Sequence, residues 1–314
     1  MLKDKILKAH LSILGANIFF GINYAVAKGI MPNFLKPNGF TLLRIITAFS
    51  LFFLLSLFVK KEKIQRKDYP RFIAAGFLGV AFNQFIFLNG LNFTSPIDSA
   101  IIVTINPILV MIIASMAIGE RITFMKIFGM IVGASGALLI ILNRGVINFS
   151  SEHFLGNVMI FLSTFAYAGY LVVAKPLMQR YDPITVMRGV FFVGLIFITP
   201  LGFNDLVQNS WSTIPASIWG SIFFVLLGST FLAYLLMSWG LRQVRATTVS
   251  IYNYTQPVIA SIVAVVIGQD ILDTPKIIAT VMVFIGVYLV SRPSLKAKTS
   301  AKDKRQKSNF KTQN

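Results

Sequence analysis

The chain has 314 residues, of which 55% are hydrophobic and 13% are charged, and its formal net charge is +18. A water-soluble domain of this composition would expose a large apolar surface, so the composition excludes an ordinary soluble protein and favours a lipid bilayer as the solvent. The chain has no cysteine, which excludes disulfides and thiolate metal sites.

Ten apolar segments follow one another along the chain. Each has roughly 17 to 25 residues, enough to cross about 30 Å of hydrocarbon as a helix. Turn-forming or boundary residues separate them, for example Ser95-Pro96 and Asp182-Pro183. The segments lie near residues 10–30, 38–59, 70–90, 98–118, 123–142, 154–175, 184–203, 214–238, 247–268 and 275–291. They predict an all-α integral membrane protein with ten transmembrane helices.

The first apolar segment resembles a secretory signal peptide. Three lysines precede it, and it ends in the small residues Ala25-Val26-Ala27. The apolar run is long for a signal peptide and contains Asn17 and Asn23, which favours a helix that stays in the protein. Cleavage after this segment is the alternative.

The positive charges fall mainly on one side of the ten-helix topology. With the N-terminus in the cytoplasm, 23 of the 29 Lys and Arg residues are cytoplasmic, four are external, and Arg44 and Arg188 lie within segments two and seven. This asymmetry predicts a multi-pass protein of the cytoplasmic membrane with both termini in the cytoplasm. It explains the net charge without a nucleic-acid partner. The basic tail, residues 293–314, is expected to be disordered.

The chain contains an internal repeat with a constant offset over its clearest part. The matched pairs are Gly90-Leu91 with Gly240-Leu241, Pro107 with Pro257, Lys126 with Lys276 and Gly136 with Gly286. We divide the chain into a first five-helix repeat at residues 1–146 and a second at residues 147–292, followed by the tail. Because each repeat has an odd number of spans, the second enters the membrane from the opposite face, so the repeats are inverted.

The repeated segments also resemble a known family. Asn106-Pro107, followed by Gly119-Glu120-Arg121, and Tyr254-Thr255-Gln256-Pro257 are similar to the pattern of the EamA family of the drug/metabolite transporter superfamily, whereas Gln269-Asp270 stands where that family commonly has Gly-Glu. The resemblance covers residues 10–292. It implies ten helices in two repeats and transport of amino acids, other metabolites or drugs by an exporter or facilitator, without naming the solute.

Polar side chains near the middle of the apolar segments are the candidates for a solute site, because each costs free energy in hydrocarbon unless it meets a partner or a wet cavity. The candidate binding residues are Asn17, Tyr24, Asn83, Gln84, Thr104, Asn106, Tyr167, Tyr170, Tyr234, Tyr252, Asn253 and Gln256. Pro107 and Pro257 each remove a backbone donor, which predicts kinked helices that line a cavity. The alternative is that the polar groups only join helices by hydrogen bonds.

Arg44 and Arg188 lie at symmetric positions, each about two turns inside its segment. Each could extend its long side chain to the nearby interface. The alternative is that they contact an anionic group of the solute.

The sequence offers little for catalysis or for a proton relay. The two His residues lie at helix ends, and no metal-binding or phosphate-binding motif occurs, so we expect neither an enzyme nor a cofactor or metal site. No acidic residue lies in the middle of an apolar segment, and a neutral, zwitterionic or aromatic solute suits the Tyr and amide side chains. The prediction is a transporter of small organic solutes, in contact with membrane lipid, that works by alternating access about a midplane cavity. A membrane scaffold or a channel is the alternative.

Overall fold

The computed structural model describes residues 2–120, 122–142, 151–266 and 274–291. Over these residues the chain is helical and has no β-strand. The helical spans that are long and apolar enough to cross a membrane are Asp4–Ile30, Pro37–Ser56, Arg66–Phe93, His153–Arg180, Pro183–Val207 and Ala216–Gln243. Shorter apolar helices cover Asn106–Ile118, Phe124–Gly136 and Ile277–Val290. The predicted all-α membrane fold is therefore confirmed, whereas the count of ten spans stays a prediction.

The α-helices are numbered in chain order. They are α1 (Leu2–Ile30), α2 (Pro37–Ser56), α3 (Tyr69–Gly76), α4 (Asn83–Phe93), α5 (Pro96–Val103), α6 (Asn106–Ile118), α7 (Phe124–Leu142), α8 (Ser151–Arg180), α9 (Pro183–Val207), α10 (Ala216–Phe223), α11 (Ala233–Gln243), α12 (Ala246–Ser250), α13 (Thr255–Val266) and α14 (Thr274–Ser291). The predicted boundary between the repeats at residue 146 and the predicted tail lie outside the described residues.

Two of the long spans contain a π-helical segment. Phe77–Phe82 joins α3 to α4, and Phe224–Leu232 joins α10 to α11, so the two segments occupy matching places in the predicted repeats. In a π-helix the backbone hydrogen bond spans one residue more than in an α-helix, and such insertions are frequent at functional sites. Both segments therefore interrupt the regular hydrogen bonding of a helix at membrane depth.

Two further helices are interrupted just before a proline. α5 ends at Val103 and α6 begins at Asn106, so Pro107 lies in the first turn of a new helix, where its missing N–H is tolerated. In the second half of the chain, a 3-10 segment over Ile251–Tyr254 separates α12 from α13, whose first turn contains Pro257. The helical breaks again match between the repeats.

The helices pack in a pattern that is consistent with two-fold pseudosymmetry. α2 packs against α9 and α7 against α14, and each of these pairs joins two equivalent helices. α1 packs against α11, and α8 packs against α4, so these two pairs are counterparts of one another. This arrangement places α1, α4, α8 and α11 where the two halves of the chain meet.

Glycines bring α7 and α14 close together. A Cβ atom placed on Gly286 would lie 2.6 Å from the carbonyl oxygen of Gly129 and 2.8 Å from the Cα atom of Gly133. Small residues at such crossings let helix backbones approach in a membrane, where packing and not the hydrophobic effect drives association.

Two equivalent lysines cap helix ends. Lys28 Nζ donates to the carbonyl oxygens of Leu91 and Asn92, at 2.9 and 2.8 Å, where α4 ends. Lys175 Nζ donates at 2.6 Å to the carbonyl of Leu241 and at 2.8 Å to that of Val244, where α11 ends. A cation at a helix C-terminus meets carbonyls that lack an intrahelical donor, and it also interacts favourably with the helix dipole.

An ion pair joins three helices at the end of the bundle where α1 begins and α2 ends, which we call the basic end. Glu120 follows α6, and its Oε1 accepts from Lys126 Nζ of α7 at 2.6 Å. Thr247 of α12 donates to the same carboxylate oxygen and accepts from Lys126 at 3.0 Å. The Glu120 and Lys126 side chains are 7% and 6% exposed, so this cluster is part of the packed interior at the basic end.

Candidate functional site

A cavity of about 90 Å³ lies where the two halves of the chain meet. At one water per 10 to 15 Å³ of such volume, it has room for roughly six to nine waters or for a small organic molecule. The residues that line it are Phe20, Asn23, Tyr24, Arg44, Asn83, Gln84, Phe87, Val103, Asn106, Ser163, Thr164, Tyr167, Tyr234, Asn253 and Gln256. They come from both predicted repeats.

The cavity lies nearer to the end of the bundle opposite the basic end. α1 begins at the basic end, and its lining residues Phe20 and Tyr24 lie in its second half. α2 begins at the opposite end, and Arg44 lies about two turns from its first residue, Pro37. The ion pair of Glu120 with Lys126 is on the other side, beyond the lining residues.

A chain of hydrogen bonds orients one wall of the cavity. The Tyr24 hydroxyl donates to Gln256 Oε1 at 2.9 Å, and Gln256 Nε2 donates to Asn17 Oδ1 at 2.8 Å. Asn17 Nδ2 in turn donates to the carbonyl of Ile13 at 2.8 Å. The carboxamide of Gln256 is therefore held in one orientation by side chains of α1.

The π-helical segments hold other lining side chains through hydrogen bonds. The Tyr234 hydroxyl donates at 3.0 Å to the carbonyl oxygen of Gly79, which lies within the first π segment. Ser229, in the second π segment, donates to Asn23 Oδ1 at 2.8 Å. The π segments thus hold lining residues of α1 and α11 in place. Non-helical backbone is tolerated at membrane depth where it borders a cavity, and these segments fit that rule.

Arg44 is the one charged residue among the described lining residues. Its side chain is 4% exposed, and its Nε donates to Thr230 Oγ1 at 2.8 Å. Its Nη1 has no hydrogen-bond partner. Extension of Arg44 to the membrane interface does not fit this burial, whereas Arg188 is outside the cavity lining and donates from Nη1 to Ser56 Oγ at 3.1 Å. The two equivalent arginines therefore have different surroundings.

Several buried polar atoms of the cavity lining lack a hydrogen-bond partner. They are Arg44 Nη1, Gln84 Oε1 and Nε2, Asn106 Oδ1, the Tyr167 hydroxyl and Asn253 Nδ2. A buried polar group without a partner costs about 1–3 kcal/mol, so most such groups in proteins are satisfied by protein atoms, water or a ligand. This concentration of unpartnered donors and acceptors around one cavity indicates a site for water or for a polar ligand.

Aromatic and aliphatic side chains supply the apolar part of the lining. The rings of Phe20 and Tyr234 meet edge to face with centroids 5.9 Å apart, and those of Tyr24 and Phe87 do so at 5.6 Å. Such contacts hold the rings in defined positions. The cavity therefore combines a few polar groups with an apolar surface, which is typical of small-molecule sites.

The structure brings most of the predicted site residues together. Those at the cavity are Tyr24, Asn83, Gln84, Asn106, Tyr167, Tyr234, Asn253 and Gln256. Asn17 lies behind Gln256, and Tyr170 lies near Met187, with its hydroxyl 4.0 Å from the sulfur. Tyr252 is outside the lining and hydrogen-bonds His10 Nδ1 at 2.7 Å, and Thr104 is buried outside it.

Sequence reasoning missed the apolar lining residues Phe20, Phe87 and Val103, which carry no signal within an apolar helix. It also left Asn23, Ser163 and Thr164 out of the candidate list, although the polarity of these side chains at membrane depth was a usable signal.

Comparison with known proteins places the chain in a family. The model of the EamA-like transporter family matches residues 7–142 and again residues 154–292. An uncharacterized transporter of Bacillus subtilis, YyaM, is 25% identical over 91% of this chain and 94% of its own length. An uncharacterized transporter of Archaeoglobus fulgidus is 27% identical over 87% of this chain and 95% of its own.

A relative with a more specific name is the probable terminal-alkyne amino-acid exporter of Streptantibioticus cattleyicolor, which is 24% identical over 73% of this chain and 75% of its own. One solved crystal structure superposes with a TM-score of 0.74 at 16% identity, over 92% of this chain and 96% of that one, and supports the fold alone. Because the family model accounts for nearly the whole described chain in two matches, the protein belongs to the EamA-like transporter family.

Proposed function

We propose that this protein is a carrier that moves small organic solutes across a membrane by alternating access about the cavity. The observation that carries the proposal is the set of unpartnered polar atoms around a cavity between the two halves of a transporter-family chain. Groups that only join helices would be paired with one another, whereas these atoms are left to water or to a bound solute. Bound solute would supply the missing partners.

The irregular helix segments support a mechanism in which access alternates. The π segments and the breaks before Pro107 and Pro257 come in matching pairs beside the cavity. In inverted-repeat transporters, discontinuous helices surround the midplane site, and one half rocks against the other. The ion pair of Glu120 with Lys126 ties α6, α7 and α12 together at the basic end, and we assign it the role of holding that end closed.

The charge distribution and the names of relatives support proposals for the orientation of the carrier in its membrane and for its solute. The excess of Lys and Arg at the basic end supports a cytoplasmic location for that end and for both termini, in the cytoplasmic membrane. Because one relative is named as an amino-acid exporter, amino acids and their derivatives are the first solutes to test. Repeats at residues 1–146 and 147–292 would then alternate about the cavity between them.

Purified protein in liposomes provides the test. Radiolabelled amino acids inside and outside the vesicles should exchange faster than in protein-free liposomes, and the same solutes should raise the melting temperature, because a ligand that binds only the folded state stabilises it. Exchange is measured so that the direction of net flux does not matter. Absence of both exchange and stabilisation at millimolar solute across amino acids, nucleobases and aromatic cations would favour the scaffold alternative.

A further inference from the structure

We infer that the solute carries a carboxylate and that Arg44 binds it. This inference rests on the proposed carrier function and adds a substrate class and a binding residue to it. The observation behind it is a buried guanidinium at the cavity with one nitrogen unpartnered.

The charge of Arg44 has no described counterion. Arginine stays protonated in proteins, and a buried charge is normally paired or coordinated because desolvation costs several kcal/mol. The partner that the structure gives Arg44 is the neutral hydroxyl of Thr230. None of the described ion pairs includes Arg44, and no acidic residue is found among the described lining residues. An anion that enters the cavity would therefore complete the pair.

The geometry of Arg44 leaves two guanidinium nitrogens available to that anion. Thr230 occupies Nε and itself donates to the carbonyl of Val225 at 2.7 Å, so the hydroxyl is fixed from both sides. Nη1 is unpartnered, which leaves the edge formed by Nη1 and Nη2 for two oxygens of one planar group. Guanidinium and carboxylate groups match in this bidentate manner. Thr230 is thus a positioning residue, and Arg44 is the contact residue.

The remaining lining fits the rest of an organic acid. Phe20, Phe87 and Val103 offer an apolar surface, Asn106 Oδ1 is an acceptor without a partner, and the Gln84 carboxamide leaves both its oxygen and its nitrogen unpartnered. Acceptor oxygens suit donor groups of the solute, such as an ammonium or a hydroxyl. The volume of about 90 Å³ sets a small size. A small monocarboxylate with an apolar body, with or without an amino group, meets all of these conditions.

Matched probes separate the carboxylate from the other groups of a solute. Leucine carries both charged groups, 4-methylpentanoate carries only the carboxylate, leucinamide and 3-methylbutylamine lack it, and the same four forms can be prepared with a methyl or a benzyl side chain. Thermal stabilisation of the purified full-length protein gives an apparent affinity for each compound. We expect carboxylate-bearing compounds to stabilise the protein and their amides and amines to do so weakly or not at all.

Variants then assign the effect to Arg44. Arg44→Gln should weaken the apparent affinity for carboxylates by roughly ten- to a hundredfold, the loss expected for a hydrogen bond to a charged group. Arg44→Lys keeps the positive charge but cannot bind two oxygens side by side, so it should lose less affinity than Arg44→Gln. Arg188→Gln, at the equivalent position of the second repeat and outside the cavity lining, is the matched control and should retain wild-type affinity.

The outcomes separate this inference from the proposed function. If amides and amines bind as well as the carboxylates, or if folded Arg44→Gln keeps wild-type affinity for carboxylates, the inference is wrong while the carrier function stands. If Arg188→Gln loses affinity as Arg44→Gln does, Arg44 is not the specific contact. If none of the compounds stabilises the protein or is exchanged in liposomes, both proposals fail.

Discussion

Tyr167 and Tyr170 lie one turn apart on α8 and have different surroundings. The Tyr167 hydroxyl is buried at the cavity without a partner, whereas Tyr170 is fully buried outside the lining, with its hydroxyl near the Met187 sulfur. A group that only stabilises the fold should have a partner within the fold. The two tyrosines therefore form a natural pair for separating solute binding from packing.

We predict that Tyr167→Phe leaves the melting temperature unchanged or raises it, because the change removes a buried hydroxyl that makes no hydrogen bond. The affinity for a transported solute should fall by roughly two- to tenfold, as expected for one neutral hydrogen bond. Thermal unfolding in the presence and absence of solute measures both quantities. Tyr170→Phe is the control and should keep the affinity. A Tyr167→Phe protein that melts earlier and binds normally would make this hydroxyl a structural group.

The site was largely predictable where polarity itself was the signal. Tyr24, Asn106 and Gln256 stand out because amides and hydroxyls are costly in hydrocarbon, and the structure places all three at the cavity. The same logic could not tell Gln256 from Asn17, which is equally polar but lies behind it. That distinction depends on which side of a helix faces the cavity, which an all-round apolar helix does not reveal.

At the scale of helices, the close crossing of α7 and α14 yields a prediction. Gly286→Ala should lower the melting temperature by the equivalent of about 1–3 kcal/mol, because the new methyl group must displace the backbone of α7. Gly220→Ala on α10 is the matched control, since a Cβ atom there would meet nothing within 4 Å. Equal melting temperatures for Gly286→Ala and the wild-type protein would show that the two helices do not cross this closely in the membrane.

Most helix ends were predictable to within a few residues, although α1 begins at Leu2 and not near residue 10, and the irregular segments were not predictable. Long apolar runs bounded by turn residues define spans such as α2 and α9, because bilayer thickness sets their length. The breaks before α6 and α13 had a signal in Pro107 and Pro257. The π segments had none, because lengthening the span of the backbone hydrogen bond by one residue leaves no periodicity in a run that is apolar on all sides.

At the scale of the molecule, the charge asymmetry predicts the orientation. Reporters fused at Lys63 or after Asn314 should be active in the cytoplasm, and a reporter at Asn209 should be active outside. Paired fusions to alkaline phosphatase and green fluorescent protein measure this, since the first works only outside and the second folds only inside. The two reporters at each position control for expression. A cytoplasmic signal at Asn209 would contradict the proposed ten-helix topology.

Arg44, the one charged residue among the described lining residues, also determines which step of such a carrier would respond to membrane voltage. When a monoanionic solute binds beside Arg44, the loaded cavity is electrically neutral, so the step that crosses the membrane with solute moves no net charge. The return of the empty cavity then carries the charge of Arg44 through the field. With the cell interior negative, one complete export cycle moves one negative charge outward, and a potential of 100 mV drives it by about 2.3 kcal/mol, or roughly fiftyfold in solute ratio.

Two flux measurements in liposomes distinguish these steps. Net efflux of 4-methylpentanoate should accelerate when a potassium diffusion potential makes the lumen negative, because it requires the return of the empty cavity. Exchange of the same solute should be insensitive to voltage, because the cavity returns loaded and neutral. Leucine, as a zwitterion, moves no net charge in either experiment, so its steady-state gradient should not follow the voltage. Arg44 would thus confine the voltage dependence of anion export to the return of the empty cavity.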